Sequence, residues 1–274
     1  GTIPLQIRIT FPHVKCNRLD FSHDGASLSS GELSKHHPGN SLILRKPSNS
    51  ELNKITSGRG NQDKHISINN GCTVEGHLRV NLVAGSMVVG LNALAWSEVS
   101  SILTLRRLDG NEDSFKAGML DFNVTHYIHH VRFGDAFKMD GRHQPLEDRY
   151  NFIENSFGGL ALEQLEVKLV PTHKSNGLLN SIVPSTSSKV MYQTSVNDHQ
   201  VQPATLVAHG VPHLPGLLIS YDFSPIAVRH HGGRDNFLVF ISSLVSIVGG
   251  VFVTVGMLTS CLVHSAKAVS KKVD

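Results

Sequence analysis

FLVFISSLVSIVGGVFVTVGMLTSCLV, residues Phe237 to Val263, runs for twenty-seven residues without a charged side chain. At about 1.5 Å of rise per residue such a helix is about 40 Å long, more than the roughly 30 Å hydrocarbon core of a bilayer. The stretch reads as a transmembrane helix, because buried helices of soluble domains rarely stay free of charge for so long. Its flanks orient it. Lys267, Lys271 and Lys272 follow the span, while Arg234 and Asp235 cancel on the other side. The positive-inside bias then puts residues 264–274 in the cytosol as a short tail and residues 1–236 in a lumen or outside the cell. The surplus length lets the helix tilt, or carries Ser260, Cys261 and His264 into the headgroups. Ser242, Ser246, Gly250 and Thr254 recur every fourth residue, a ridge of small side chains against which a partner helix can pack.

Composition narrows the function of the remainder. Setting aside the three lysines and one aspartate of the tail leaves 22 basic against 21 acidic groups in residues 1–263. A nearly neutral chain with 6% aromatic residues has no basic stripe for nucleic acid. The 236 residues before the span suffice for one cored domain. The chain opens on Gly1 with no charged, apolar and small-residue leader, so a signal peptide or a first membrane helix is expected upstream.

Outward from the span, the alternation of side chains predicts strands. Leu5, Ile7, Ile9 and Phe11 alternate with Gln6, Arg8 and Thr10 until Pro12. In CTVEGHLRVNLVAG, from Cys72, the residues Val74, Gly76, Leu78, Val80 and Leu82 share one face. Leu160 to Val170, Val190 to Val196 and Leu217 to Val228 read as further strands, ended or interrupted by Pro171, Asn197 and Pro225. Leu91 to Leu108 fits helix or strand. Residues 26–70, rich in Ser, Asn, Gly, Lys and His, read as a mobile loop insertion with a short strand at Ser41 to Leu44. The fold expected is mainly β: an antiparallel β-sandwich followed by one C-terminal transmembrane helix.

Candidate chemistry is sparse. Cys261 lies in the span, which leaves Cys16 and Cys72 as a pair in an oxidising compartment, where a structural bridge is the expected state. No CxxC, GxSxG, HExxH or phosphate-binding glycine loop occurs. His126, His129 and His130 are the candidate metal cluster, but a strand splits them between faces and no acid matches their spacing, so neither metal nor cofactor is expected. Asn123 opens Asn-Val-Thr, the one N-x-Ser/Thr sequon, and a glycan is expected there in a lumenal domain.

The run RITFPHVKC, from Arg8, resembles the opening of the lumenal domain in the ER vesicle (Erv) and ER-Golgi intermediate compartment (ERGIC) family of COPII-vesicle membrane proteins. The resemblance continues through Gly71, Cys72, Gly76, Val80, Asn81, Val83, Ala84 and Gly85, and through Asn123, Thr125, His126, Ile128, Phe133 and Gly134. Pro145, Leu146, Val170, Pro171, Thr172, Gly216, Tyr221, Ser224, Pro225, Gly249 and Gly250 follow in the same order. Ser86 and Met87 depart from the family's usual Asn-Phe, and the double-cysteine runs of its larger subunit are absent, so any role attached to those runs does not carry over.

The resemblance implies two membrane spans around a lumenal β-sandwich, and a cargo receptor subunit cycling between ER and Golgi in COPII and COPI vesicles. Its implied partners are a related family subunit, lumenal cargo proteins, and coats reading the cytosolic tail, where Lys271 and Lys272 sit at the dilysine retrieval position. His126, His129, His130, His209 and His213 are candidates for sensing the pH difference between compartments. Catalysis is not expected. A membrane-anchored lumenal enzyme and a structural scaffold for a partner membrane protein are the competing readings, and a pocket of buried acid and base groups would favour the enzyme.

Overall fold

A computed structural model describes residues 1–24, 26–27, 40–57, 71–136, 144–153, 157–175, 190–202, 214–231 and 237–270. The strands are β1 (Thr2–Phe11), β2 (Leu19–His23), β3 (Ala26–Ser27), β4 (Ser41–Arg45), β5 (Cys72–Asn81), β6 (Gly85–Leu91), β7 (His126–Phe133), β8 (Asp135–Ala136), β9 (Glu147–Asn151), β10 (Leu162–Ser175), β11 (Val190–Val201), β12 (Gly216–Phe223) and β13 (Val228–His231). The helices are α1 (Asn49–Ser57), α2 (Ala93–Asp109), α3 (Glu112–Met119) and α4 (Phe237–Ser270). Residues 1–173 and 190–228 make one compact unit, residues 174–189 and 229–274 a second.

Two sheets enclose the core of the first unit. One runs β4-β5-β1-β7-β9, the other β3-β2-β6-β12-β10-β11-β8. The period-two pattern explains why they face each other: Leu5, Ile7, Ile9 and Phe11 of β1 are at most 1% exposed, and they meet Phe21, Met87, Leu165, Leu169, Leu217 and Ile219 from the other sheet in a single cluster. Most pairs are antiparallel. β12 runs parallel to β10 because it returns on the far side of the β10–β11 hairpin, pairing antiparallel with β6 beyond. Cys16 and Cys72 are bridged, with Cα atoms 4.9 Å apart, tying the head of β5 to the chain entering β2.

Four local departures from the sequence reading have identifiable causes. Within the stretch expected to be a mobile loop, β4 covers the anticipated short strand, but α1 was not anticipated; residues 28–39 and 58–70 lie outside the described residues. α1 forms because Leu52 and Ile55 are buried, while Glu51 reaches back to the backbone N–H and hydroxyl of Ser48 in a capping box. Leu91 to Leu108 divides between the end of β6 and α2. Asn92 caps α2 by accepting the Ala95 N–H at 2.9 Å, and Gly110 ends it at φ 63°. β10 continues through Pro171, which lies opposite Tyr192, and β11 continues through Asn197.

In the second unit α4 is a helix of 34 residues, and Val239–His264 is long and apolar enough to cross a membrane.

Candidate functional site

β12, β10 and β11 lie side by side in register, with Ser220 beside Glu166 and Glu166 beside Asn197, and one step on Asp222 beside Lys168 and Lys168 beside Ser195. Because side chains alternate along a strand, Gln164, Glu166 and Lys168 point away from the core that Leu165, Val167 and Leu169 fill. Together with Ala84 and Gly85 they line a groove of about 590 Å³. No side chain of Gln164, Glu166, Lys168, Ser195, Asn197 or Ser220 has a partner among the described residues. Donors and acceptors of these six residues are therefore concentrated there without partners among the described residues, an arrangement suited to a polar ligand.

At one end the groove floor is Tyr221, only 3% exposed. Its hydroxyl lies 3.0 Å from His23 Nε2, and His23 Nδ1 lies 3.5 Å from Asp24, whose other oxygen accepts the Ser86 N–H at 2.9 Å. Asp24 adopts φ 48°, so the backbone is bent to hold this chain of groups. Burial pushes the Tyr221 phenol up to about 12, which leaves it a poor nucleophile or base near neutrality. Gly85 is needed above it, because a Cβ there would meet the hydroxyl at 2.4 Å.

A second cluster clasps the two sheets at the β9 and β11 edges. His126 Nδ1 donates to the Val124 carbonyl at 3.0 Å, so its Nε2 accepts from the Asn151 amide at 3.1 Å. Arg149 donates to Asn151 at 2.8 Å and to Asp198 at 2.7 Å, and stands 3.7 Å from Glu163. Burial lowers His126 to about 4, with Arg149 adding repulsion, and burial raises Glu163 to about 7 against the pull of Arg149. A buried acid and a buried base thus lie 3.7 Å apart. Neither lines the groove.

A third network supports α1 on the outer face of the first sheet. Arg45 donates to Glu51 at 2.6 and 2.9 Å and to Glu75 at 3.0 and 3.1 Å, and Arg8 also pairs with Glu75. Burial alone pushes the Glu51 carboxyl up, but the Arg45 and Ser48 donors outweigh it and bring it to about 2. Beneath, His129 bonds Thr10 at 2.9 Å and Thr10 bonds Thr73 at 2.8 Å. Burial lowers His129 to about 4 and also lowers His130, beside Arg132 and Arg8.

These positions bear on two expectations. Burial lowers His126, His129 and His130 below the ordinary histidine value, with His126 and His129 brought to about 4; His209 and His213 lie outside the described residues. The sequon is engaged in structure: Asn123 Oδ1 accepts the Thr125 N–H at 2.9 Å, its amide packs on Gly159, and the buried Thr125 hydroxyl accepts from the Ile153 N–H. The Asn123 side chain is half-buried, and its amide nitrogen is the atom that a glycan would take.

Elsewhere, no group of three metal-ligating side chains occurs among the described residues. On α4, Gly250 has open space around it, but the Thr254 hydroxyl bonds back to the Gly250 carbonyl at 3.0 Å, so van der Waals contact is what this face offers together with Ser242 and Ser246. Lys271 and Lys272 lie outside the described residues. Sequence reading missed the groove and Glu163. The parity of β10 puts Glu163 on the same face as Leu165 and Val167, and a carboxylate at an inward position was the signal.

Known proteins show where this architecture recurs. The probable endoplasmic reticulum-Golgi intermediate compartment protein 3 of Dictyostelium discoideum is 29% identical over 204 residues, covering 74% of this chain and 48% of that protein. Protein disulfide-isomerase 5-3 of Arabidopsis thaliana is 25% identical over 244 residues, covering 84% of this chain and 45% of that protein. The chain spans about half the length of these curated relatives. A crystal structure of Erv41p superposes with a TM-score of 0.50 at 18% identity, covering 83% of this chain and 93% of that one, and so shares the fold. Residues 45–259 match the family model described as Endoplasmic reticulum vesicle transporter, and the chain belongs to that family.

Proposed function

We propose that this chain is a non-catalytic subunit of a cargo receptor in ER and Golgi membranes, carried in vesicles, and that the groove on β10, β11 and β12 docks lumenal proteins. The observation that carries the reading is the groove itself, where Gln164, Glu166, Lys168, Ser195, Asn197 and Ser220 converge without side-chain partners among the described residues. Family membership and the ER-Golgi name of the Dictyostelium relative support the vesicle setting. In this reading α4 anchors the chain, residues 1–236 are lumenal, the Ser242, Ser246, Gly250 and Thr254 ridge meets a related subunit, and Lys271 and Lys272 address the tail to coats.

Thiol exchange, suggested by the name of the Arabidopsis relative, fits these cysteines poorly. Cys16 and Cys72 are bonded to each other, and Cys261 lies in the apolar helix. The acid and base groups argue no better for catalysis, since Glu163 and His126 do not reach the groove and Tyr221 is too weak an acid. The test is affinity isolation of the full-length protein from detergent, wild type beside the paired change Glu166→Lys and Asp222→Lys. Lumenal proteins should accompany the wild type and fall away from the variant; identical companions would exclude the groove.

A further inference from the structure

Resting on the groove as the docking site, we infer that its occupant is an extended polypeptide segment with basic side chains, which adds as a strand to the edge of β11 that no described strand pairs beyond Tyr192. β11 pairs along its length with β10, whereas among the described residues its other side meets only Asp135 and Ala136 of β8, at Met191 and Tyr192. From Thr194 to Val201 half of the backbone N–H and C=O groups point away from β10 toward that open side. An edge of that length spans about 27 Å, enough for an ordinary strand.

Exposed edges are commonly guarded by lysine, proline or an inward-pointing charge. Thr194 to Val201 contains no lysine, arginine or proline, and its one acid, Asp198, is neutralised by Arg149 at 2.7 Å. Ser195 and Asn197 belong to both the edge and the groove. A strand laid beside β11 therefore sets alternate side chains over the groove, with Glu166 about two strand spacings, roughly 10 Å, away and within the combined reach of a lysine and a glutamate. Glu166 and Asp222 outnumber Lys168 in the lining, which selects basic side chains. A sugar would need an aromatic face to stack on, and Tyr221 is buried; a nucleic acid would need a basic track.

The probe is a short fluorescein-labelled peptide in which lysine alternates with threonine and valine, titrated by anisotropy into the detergent-solubilised full chain. Two controls accompany it: the same peptide with glutamate for lysine, and the lysine peptide N-methylated at alternate residues so that it keeps its side chains but cannot complete a ladder. The lysine peptide should bind at least about tenfold tighter than either, and Glu166→Lys with Asp222→Lys should reverse the charge preference. Equal binding of the lysine and glutamate peptides, undiminished binding of the N-methylated one, or no binding of any overturns strand addition. If the variant still sheds the lumenal companions of the wild type, the docking role of the groove survives that failure. Peptide discrimination with unchanged companions instead separates strand binding from the receptor role.

Discussion

Glu163 and His126 are shifted in opposite directions, and the signs have a measurable consequence. The folded-state value of Glu163 is raised to about 7, so its contribution is fully present below the unfolded value of about 4.3 and is lost as pH rises through 7. His126 is lowered to about 4, so its contribution is present above about 6.5 and is lost as pH falls through 4. Between these limits the contributions of these two groups oppose each other and largely cancel. Glu163→Gln removes one side of the balance. The variant should lose roughly 3 kcal/mol on acidification from pH 7 to pH 4 relative to wild type, followed by urea unfolding with Trp96 fluorescence. Parallel profiles for the two proteins would contradict the opposed shifts. At the sequon, Gly159 holds φ 85° and a Cβ there would meet Asn123 at 2.2 Å. Gly159→Ala should therefore cost about 2 kcal/mol or more, read as a lowered urea midpoint. An unchanged midpoint would show that the chain accommodates a side chain there, and a mobility shift of the wild type on endoglycosidase treatment would show a glycan at Asn123.

Among the elements, α1 depends on a few polar contacts. Glu51→Ala removes the capping carboxylate and leaves Arg45 with Glu75 and the Lys46 carbonyl among the described residues, and should lower the urea midpoint by an amount worth about 2 kcal/mol; Ser48→Ala should cost about 1. An unchanged midpoint for Glu51→Ala would show that α1 contributes nothing to the cooperative fold. This helix was legible in principle, because Ser48 and Glu51 stand three apart before Leu52 and Ile55, but the surrounding Ser, Asn and Lys composition outweighed that signal. β1 and β5 were legible because one face of each packs in the core, so parity picks out Leu5, Ile7, Ile9 and Phe11 and Val74, Leu78 and Val80; it missed that Leu82 lies past the end of β5 and is exposed, and that α1 buries Thr10 and Thr73 on the other face. The groove was not. It depends on which residues of β10, β11 and β12 fall side by side, and register between strands distant in sequence is fixed by pairing rather than by local pattern.

At the scale of the whole molecule, the Cys16–Cys72 bridge closes a loop of 56 residues that contains both β4 and α1. In the chain-entropy model it stabilises by about 4 kcal/mol, so reductant should lower the unfolding midpoint substantially, and an unchanged midpoint would mean the unfolded chain is already constrained. The proposed function requires that the chain travel in vesicles and carry lumenal proteins by its groove. The most direct measurement releases vesicles from ER membranes bearing the full-length protein, either wild type or Glu166→Lys with Asp222→Lys, and compares the vesicle contents. Both forms should be recovered in vesicles to the same extent, with the lumenal proteins that accompany the wild type depleted from the variant. A wild-type chain left behind in the donor membrane, or a variant whose vesicles hold the same lumenal proteins, would contradict the account.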